Sequence, residues 1–145
     1  MKNILILSSM VLLLLSCDNK REKALCKRWQ MYDVIFINEK EATFQSDTMQ
    51  GNMQKVTQTI LKDILMKNIY EFHDDGTYKT GNAAATATGK WAFSGNAIKF
   101  IADSDKEKKE KNIPYEKLEQ DTLILLMKND QTSFQMKLVM VPMPE

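Results

Sequence analysis

Histidine is almost missing from this chain: His73 is the only one among 145 residues. There is no Gly-x-Ser-x-Gly elbow, no His-Glu-x-x-His and no glycine-rich phosphate loop, so the recurrent signatures of hydrolases, zinc peptidases and nucleotide-binding enzymes are absent. Two cysteines, Cys17 and Cys26, are too few for a zinc cluster or a disulfide framework. Neither sign of charge dominates, with 20 Lys plus Arg against 19 Asp plus Glu. That balance gives no basic field for nucleic acid. Long apolar runs are lacking too, because the one such stretch, Ile4 to Leu15, falls short of the roughly 20 residues that cross a bilayer. No nucleophile and base can be paired by name, so an enzyme is not expected and no cofactor or metal is implied.

That short apolar stretch follows Lys2 and runs through Leu14-Leu15-Ser16 into Cys17, after which the chain turns polar at Asp18-Asn19-Lys20-Arg21. The pattern is that of a secretory signal. Leu-Leu-Ser-Cys resembles the lipobox of bacterial lipoproteins, which implies cleavage before Cys17, a diacylglyceryl group on its thiol and acylation of the new amine. Two or three acyl chains hold a protein on a bilayer where one holds it only marginally. The expected organisation is a signal peptide over 1–16, a lipidated Cys and tether over 17–28, a barrel domain over 29–141 and a tail over 142–145. The mature part is about 130 residues, the size of one domain with one modest core. With Cys17 consumed as a thioether, Cys26 is left as a lone thiol, expected as a small apolar side chain where the tether meets the domain.

Residues 19–28 are charge-dense and free of Gly and Pro, which suits a helical or irregular spacer. From Trp29 to Ile37 the density of Trp, Tyr, Val, Ile and Phe predicts a strand with Trp29, Met31 and Ile35 on one face. Met49, Met53, Val56, Ile60 and Ile64 recur every three or four residues, with Leu61 and Leu65 widening the stripe, and predict a helix over 47–67. Asp47 is its expected N-cap.

Beyond the helix the period becomes two, interrupted by turns. Tyr70 and Phe72 lead through Asp74-Asp75-Gly76 to Tyr78, and Trp91 and Phe93 lead through Ser94-Gly95-Asn96 to Ile98 and Phe100. Tyr115 to Leu118 turns at 119–121 into Leu123 to Met127. Phe134, Met136, Leu138 and Met140 alternate in a last strand that Pro142 and Pro144 end. Residues 103–112, dense in Lys and Glu, read as a solvated loop. The predicted fold is therefore all-β, about eight antiparallel strands in a meander closed as a barrel, with one amphipathic helix between the first two strands.

Tyr70-Glu71-Phe72-His73-Asp74-Asp75-Gly76-Thr77-Tyr78, Gly89-Lys90-Trp91 and Leu123-Ile124-Leu125 together resemble the lipocalin-like domain of small envelope lipoproteins of Gram-negative bacteria. The likeness spans about Leu25 to Val141. The family pattern places Leu, a Gly two residues on and Trp after two more. Here Leu25 and Trp29 are kept, and Lys27 stands at the Gly position.

A barrel of eight strands either fills itself with side chains or keeps room for one apolar ligand. The inward set, which includes Met31, Ile35, Tyr78, Tyr115, Leu123 and Phe134, is bulky enough for a filled core. The alternative is a cavity for a small hydrophobic or amphipathic ligand lined by Tyr70, Phe72, Trp91, Phe93 and Phe100, with the adaptable Met49 and Met53 near a helical lid. A filled barrel would instead serve as an interaction module, binding a protein or glycan through its surface and loops. Either way, the expected location is the cell envelope, with the protein held on the outer membrane by acyl chains at Cys17. His73-Asp74-Asp75 reads as hairpin chemistry rather than a cation site.

Overall fold

Large apolar residues at every second position commit a strand to burying one face, and seven hairpin-linked repeats of that pattern leave an open sheet with exposed edges unless the last strand returns to the first. In the computed structural model, which describes residues 20–37, 49–104, 110–128 and 135–144, that return takes place. Eight strands run β1 (Arg28–Ile37), β2 (Ile69–Phe72), β3 (Thr77–Gly81), β4 (Thr86–Ser94), β5 (Ala97–Ala102), β6 (Glu110–Leu118), β7 (Leu123–Lys128) and β8 (Gln135–Pro142). Each pairs antiparallel with its sequence neighbour, and β8 closes on β1 from Trp29↔Pro142 to Ile37↔Gln135. A single helix, α1 (Met49–Leu65), joins β1 to β2. The expected Asp47 cap lies outside the described residues.

The three tight hairpins anticipated from the turn residues, at 73–76, 95–96 and 119–122, all fall at one end of the barrel, the closed end. Gly76 adopts φ 79 in the first of them, a conformation open to glycine at little cost. Asp75 fixes the same turn by accepting from the Thr77 backbone N–H at 2.9 Å and its hydroxyl at 2.6 Å. A short helix over 20–25 lies across this end. Leu25 is fully buried in the core and its carbonyl accepts from Trp29 Nε1 at 2.9 Å. The segment expected as a spacer is thus, from residue 20 onward, the plug of the barrel floor. Lys27 ties that plug to the 119–122 turn by donating to the Gln120 carbonyl at 2.8 Å.

Three expectations are corrected. Ile35 does not face inward: the ladder to β8 shifts register between Met31 and Asp33, so Val34 takes the inner position and Ile35 is 46% exposed. One extra residue in a strand reverses the facing of everything after it. The loop after β5 is shorter than 103–112, because residues 110–112 already belong to β6, where Glu110 meets Lys99 at 3.4 Å. On α1 the stripe of Met53, Val56, Ile60 and Ile64 is more than half exposed, whereas Leu61 and Leu65 pack on the core. The reason is local: beyond Gln30, β1 has no β2 partner, and α1 fills that flank by its C-terminal half. Lys62 Nζ there meets Asp33 Oδ1 at 2.6 Å. Phe134 lies outside the described residues.

Gly89 shows how closely the strands approach. A Cβ there would stand 2.1 Å from the Ile101 carbonyl oxygen and 2.8 Å from the Tyr78 ring.

Candidate functional site

One apolar cluster packs the interior, and a cleft opens beside it between β6 and β7 toward the end opposite the three hairpins. Toward the closed end the aromatic residues condense on one another: Phe72 meets the Trp91 ring edge-on at 5.8 Å and Phe100 at 5.9 Å, and Tyr78 meets Phe100 at 5.0 Å. The column continues from Trp91 to Phe93 at 5.5 Å and to Tyr115 at 6.1 Å. Edge-to-face contacts at these separations are favourable pairings for quadrupolar rings. Ile98, Leu123, Leu125, Leu138 and Met140 are fully buried in the same cluster.

Phe72, Trp91, Phe93 and Phe100, expected to line a ligand cavity, lie in contact with one another as a column. Tyr70 sits partly buried beside it, with burial pushing its phenol pKa up. At the column's outer end Arg21 stacks its guanidinium 4.4 Å from the Phe93 ring centroid, donates to the Gly95 carbonyl at 2.7 Å and bonds the Tyr115 hydroxyl. Arg21 Nη2 thus serves two acceptors of the barrel at once.

At the opposite end, the mouth, a cavity of about 460 Å³ opens where the first half of β6 parts from β7. Pairing between these strands stops at Tyr115↔Leu125 after a register shift, and Pro114 brings no backbone N–H to extend it. Ile37, Ile113, Pro114, Leu126, Met127 and Met136 supply the apolar wall. Lys111 and Lys128 stand at the rim; Glu110, also there, is paired with Lys99. A volume of this order suits one small molecule.

Of the seven residues expected to contact a ligand, the six whose side chains are described do not line this cavity, while Trp91 and Phe93 border one smaller hollow and Phe72 another. Met53 is 65% exposed on α1, no α1 residue lines the mouth cavity, and the side chain of Met49 lies outside the described residues. Met127 was missed because Leu123 to Met127 is apolar at every position, so no alternation marks an inner face, and Ile113 because β6 begins at Glu110, ahead of the expected start at Tyr115.

Two smaller hollows flank the plug at the closed end. One of about 370 Å³ lies between Arg21, Glu22, Cys26, Asp74, Trp91 and Phe93. The other, about 290 Å³, brings Cys26 near Arg28, Glu71, His73 and Asp74. Burial first, then the carboxylates of Asp74, Glu22 and Asp75, raises the Cys26 thiol pKa and so favours the unreactive protonated form. His73 Nε2 stands 3.6 Å from Glu71 Oε1, and its backbone closes the hairpin. Among the described residues no cluster of three or more His, Cys, Asp or Glu is placed to hold a metal ion.

This architecture, eight antiparallel strands closed as a barrel with one helix between the first two, is a lipocalin-like fold. Solved structures share the fold. A lipocalin-like protein from Bacteroides uniformis aligns with a TM-score of 0.51 and 14% identity, covering 83% of this chain and 99% of its own. An uncharacterized protein from Bacteroides eggerthii aligns with a TM-score of 0.53 and 11% identity, over 82% of this chain and 99% of its own. No protein-family profile and no curated protein matches the sequence.

Proposed function

We propose that this chain is a lipid-anchored, non-enzymatic protein of the Gram-negative cell envelope, held on the outer membrane through Cys17, whose barrel mouth binds one small hydrophobic or amphipathic molecule. The observation that carries the reading is the contrast between an aromatic column packed on itself and a mouth cavity of about 460 Å³ walled by Ile113, Met127 and Met136. Methionines adapt to varied apolar shapes, and Lys111 and Lys128 at the rim offer counter-charge to an acidic head group. The protonated state favoured at Cys26 and the turn role of His73 argue against chemistry at the other hollows.

The test is native mass spectrometry of the protein recovered from the envelope, with extraction of any bound small molecule. A reproducible added mass, lost in Met127→Ala/Met136→Ala while the fold persists, supports the reading. A clean apo mass, with no thermal shift on adding apolar probes, overturns it, since any ligand selective for the folded state raises Tm by mass action. A second reading, a surface module for a protein partner, has one observation behind it: the more than half exposed row of Met53, Val56, Ile60 and Ile64 on α1, with Ile35 and Tyr32 exposed on β1.

A further inference from the structure

We infer that the barrel stands on the membrane with its closed end down, so that the mouth opens away from the bilayer and its ligand enters from the aqueous side. The inference rests on the proposed acylation of Cys17 and adds an orientation to it. The helix over 20–25 is fastened to the closed end at both of its ends: Arg21 holds the Gly95 turn and stacks on Phe93, while Leu25 is fully buried and Lys27 holds Gln120. Only three peptide steps separate Cys17 from Lys20, a reach of about 11 Å when fully extended.

The barrel is taller than that tether. The 10 residues of β1 at about 3.3 Å per residue, tilted by about 40°, give a height of roughly 25 Å. A mouth-down barrel would lift its floor roughly 25 Å from the head groups, farther than a tether of about 11 Å can span. Charge does not set the pose, because the exposed Lys20 and Lys23 on the plug are flanked by the acidic turns holding Asp74, Asp75, Glu119 and Asp121. Orientation by tether is therefore insensitive to salt, unlike orientation by a polybasic patch.

The experiment uses the full-length lipidated protein in vesicles containing head-group nitroxide lipids, in a Cys26→Ala background, with a fluorophore on Asn96→Cys or Ser94→Cys at the closed end, or on Ser104→Cys toward the mouth. The expected result is loss of most emission at Asn96 and Ser94 and its retention at Ser104, unchanged by high salt. Inserting ten Gly/Ser residues between Asn19 and Lys20, an added span of about 17 Å, should erase the difference. Equal quenching at both ends, stronger quenching at Ser104, or a pattern unmoved by the insertion overturns the orientation while leaving the anchor intact. Protein that does not float with the vesicles and carries no lipid on Cys17 overturns the anchor and the orientation together.

Discussion

Truncating Phe100 and truncating Met127 separate the aromatic column from the cleft. Phe100 is 7% exposed and packs against Phe72 and Tyr78 at 5.9 and 5.0 Å. Removing a buried phenylalanine costs about 3–5 kcal/mol, combining lost transfer energy, the cavity left behind and the aromatic pairings. For a domain of this size 1 kcal/mol moves Tm by roughly 4 °C, so Phe100→Ala should lower it by about 12–20 °C. Met127 already borders the mouth cavity and is only partly buried, so Met127→Ala should cost about 1 kcal/mol. Binding should respond the other way: an apolar fluorescent probe should bind Met127→Ala about tenfold more weakly, the loss of about 1.4 kcal/mol of contact, and bind folded Phe100→Ala unchanged. Urea unfolding followed through the buried Trp29 and Trp91, with probe titration on each variant, measures both quantities. If Phe100→Ala costs less than about 1 kcal/mol, or weakens the probe while Met127→Ala does not, the hollow lies among the aromatics and the division proposed here fails.

Other perturbations probe particular contacts. Gly89→Ala forces a Cβ against the Ile101 carbonyl and should destabilise by about 3 kcal/mol, read as a lower urea midpoint. Val34→Asp should unfold the barrel while Ile35→Asp is tolerated in thermal melts; the reverse ranking would place the bulge elsewhere. Asp33 has a lowered pKa, chiefly through its hydrogen bond from Lys62, so its contribution is complete above the ordinary carboxylate range and fades as pH falls through the lowered value. Hydrogen exchange near Lys62 should accelerate on acidification below about pH 4, and Lys62→Ala should remove that dependence. Cys26 should alkylate with a pH midpoint above that of free cysteine, and Asp74→Asn should bring the midpoint down.

Much of the fold was legible because its signals are local. Asp74-Asp75-Gly76 and Ser94-Gly95-Asn96 specify turns through the conformations their own residues tolerate, and alternation such as Trp91-Ala92-Phe93 specifies a two-faced strand. Those signals specify the number of strands, their hairpin succession, and which aromatics share a face. The first strand defeated the same logic, because the shift between Met31 and Asp33 depends on how β8 lies beside it. The strand over 86–88 was also obscure, since Thr86-Ala87-Thr88 carries no apolar alternation and gains strand geometry only from pairing with β3.

By itself, then, the sequence determined about eight strands in hairpin succession, one helix after the first of them, and tight turns at 74–76, 94–96 and 119–121. Each of these rests on neighbours along the chain. Only the tertiary structure decided that the aromatics pack on one another, that the plug over 20–25 belongs to the barrel, that the main apolar row of α1 faces outward, and that a hollow opens where β6 leaves β7. A cavity is the space that packing fails to fill, and packing is set by register and closure between strands far apart in sequence, which local patterns do not encode.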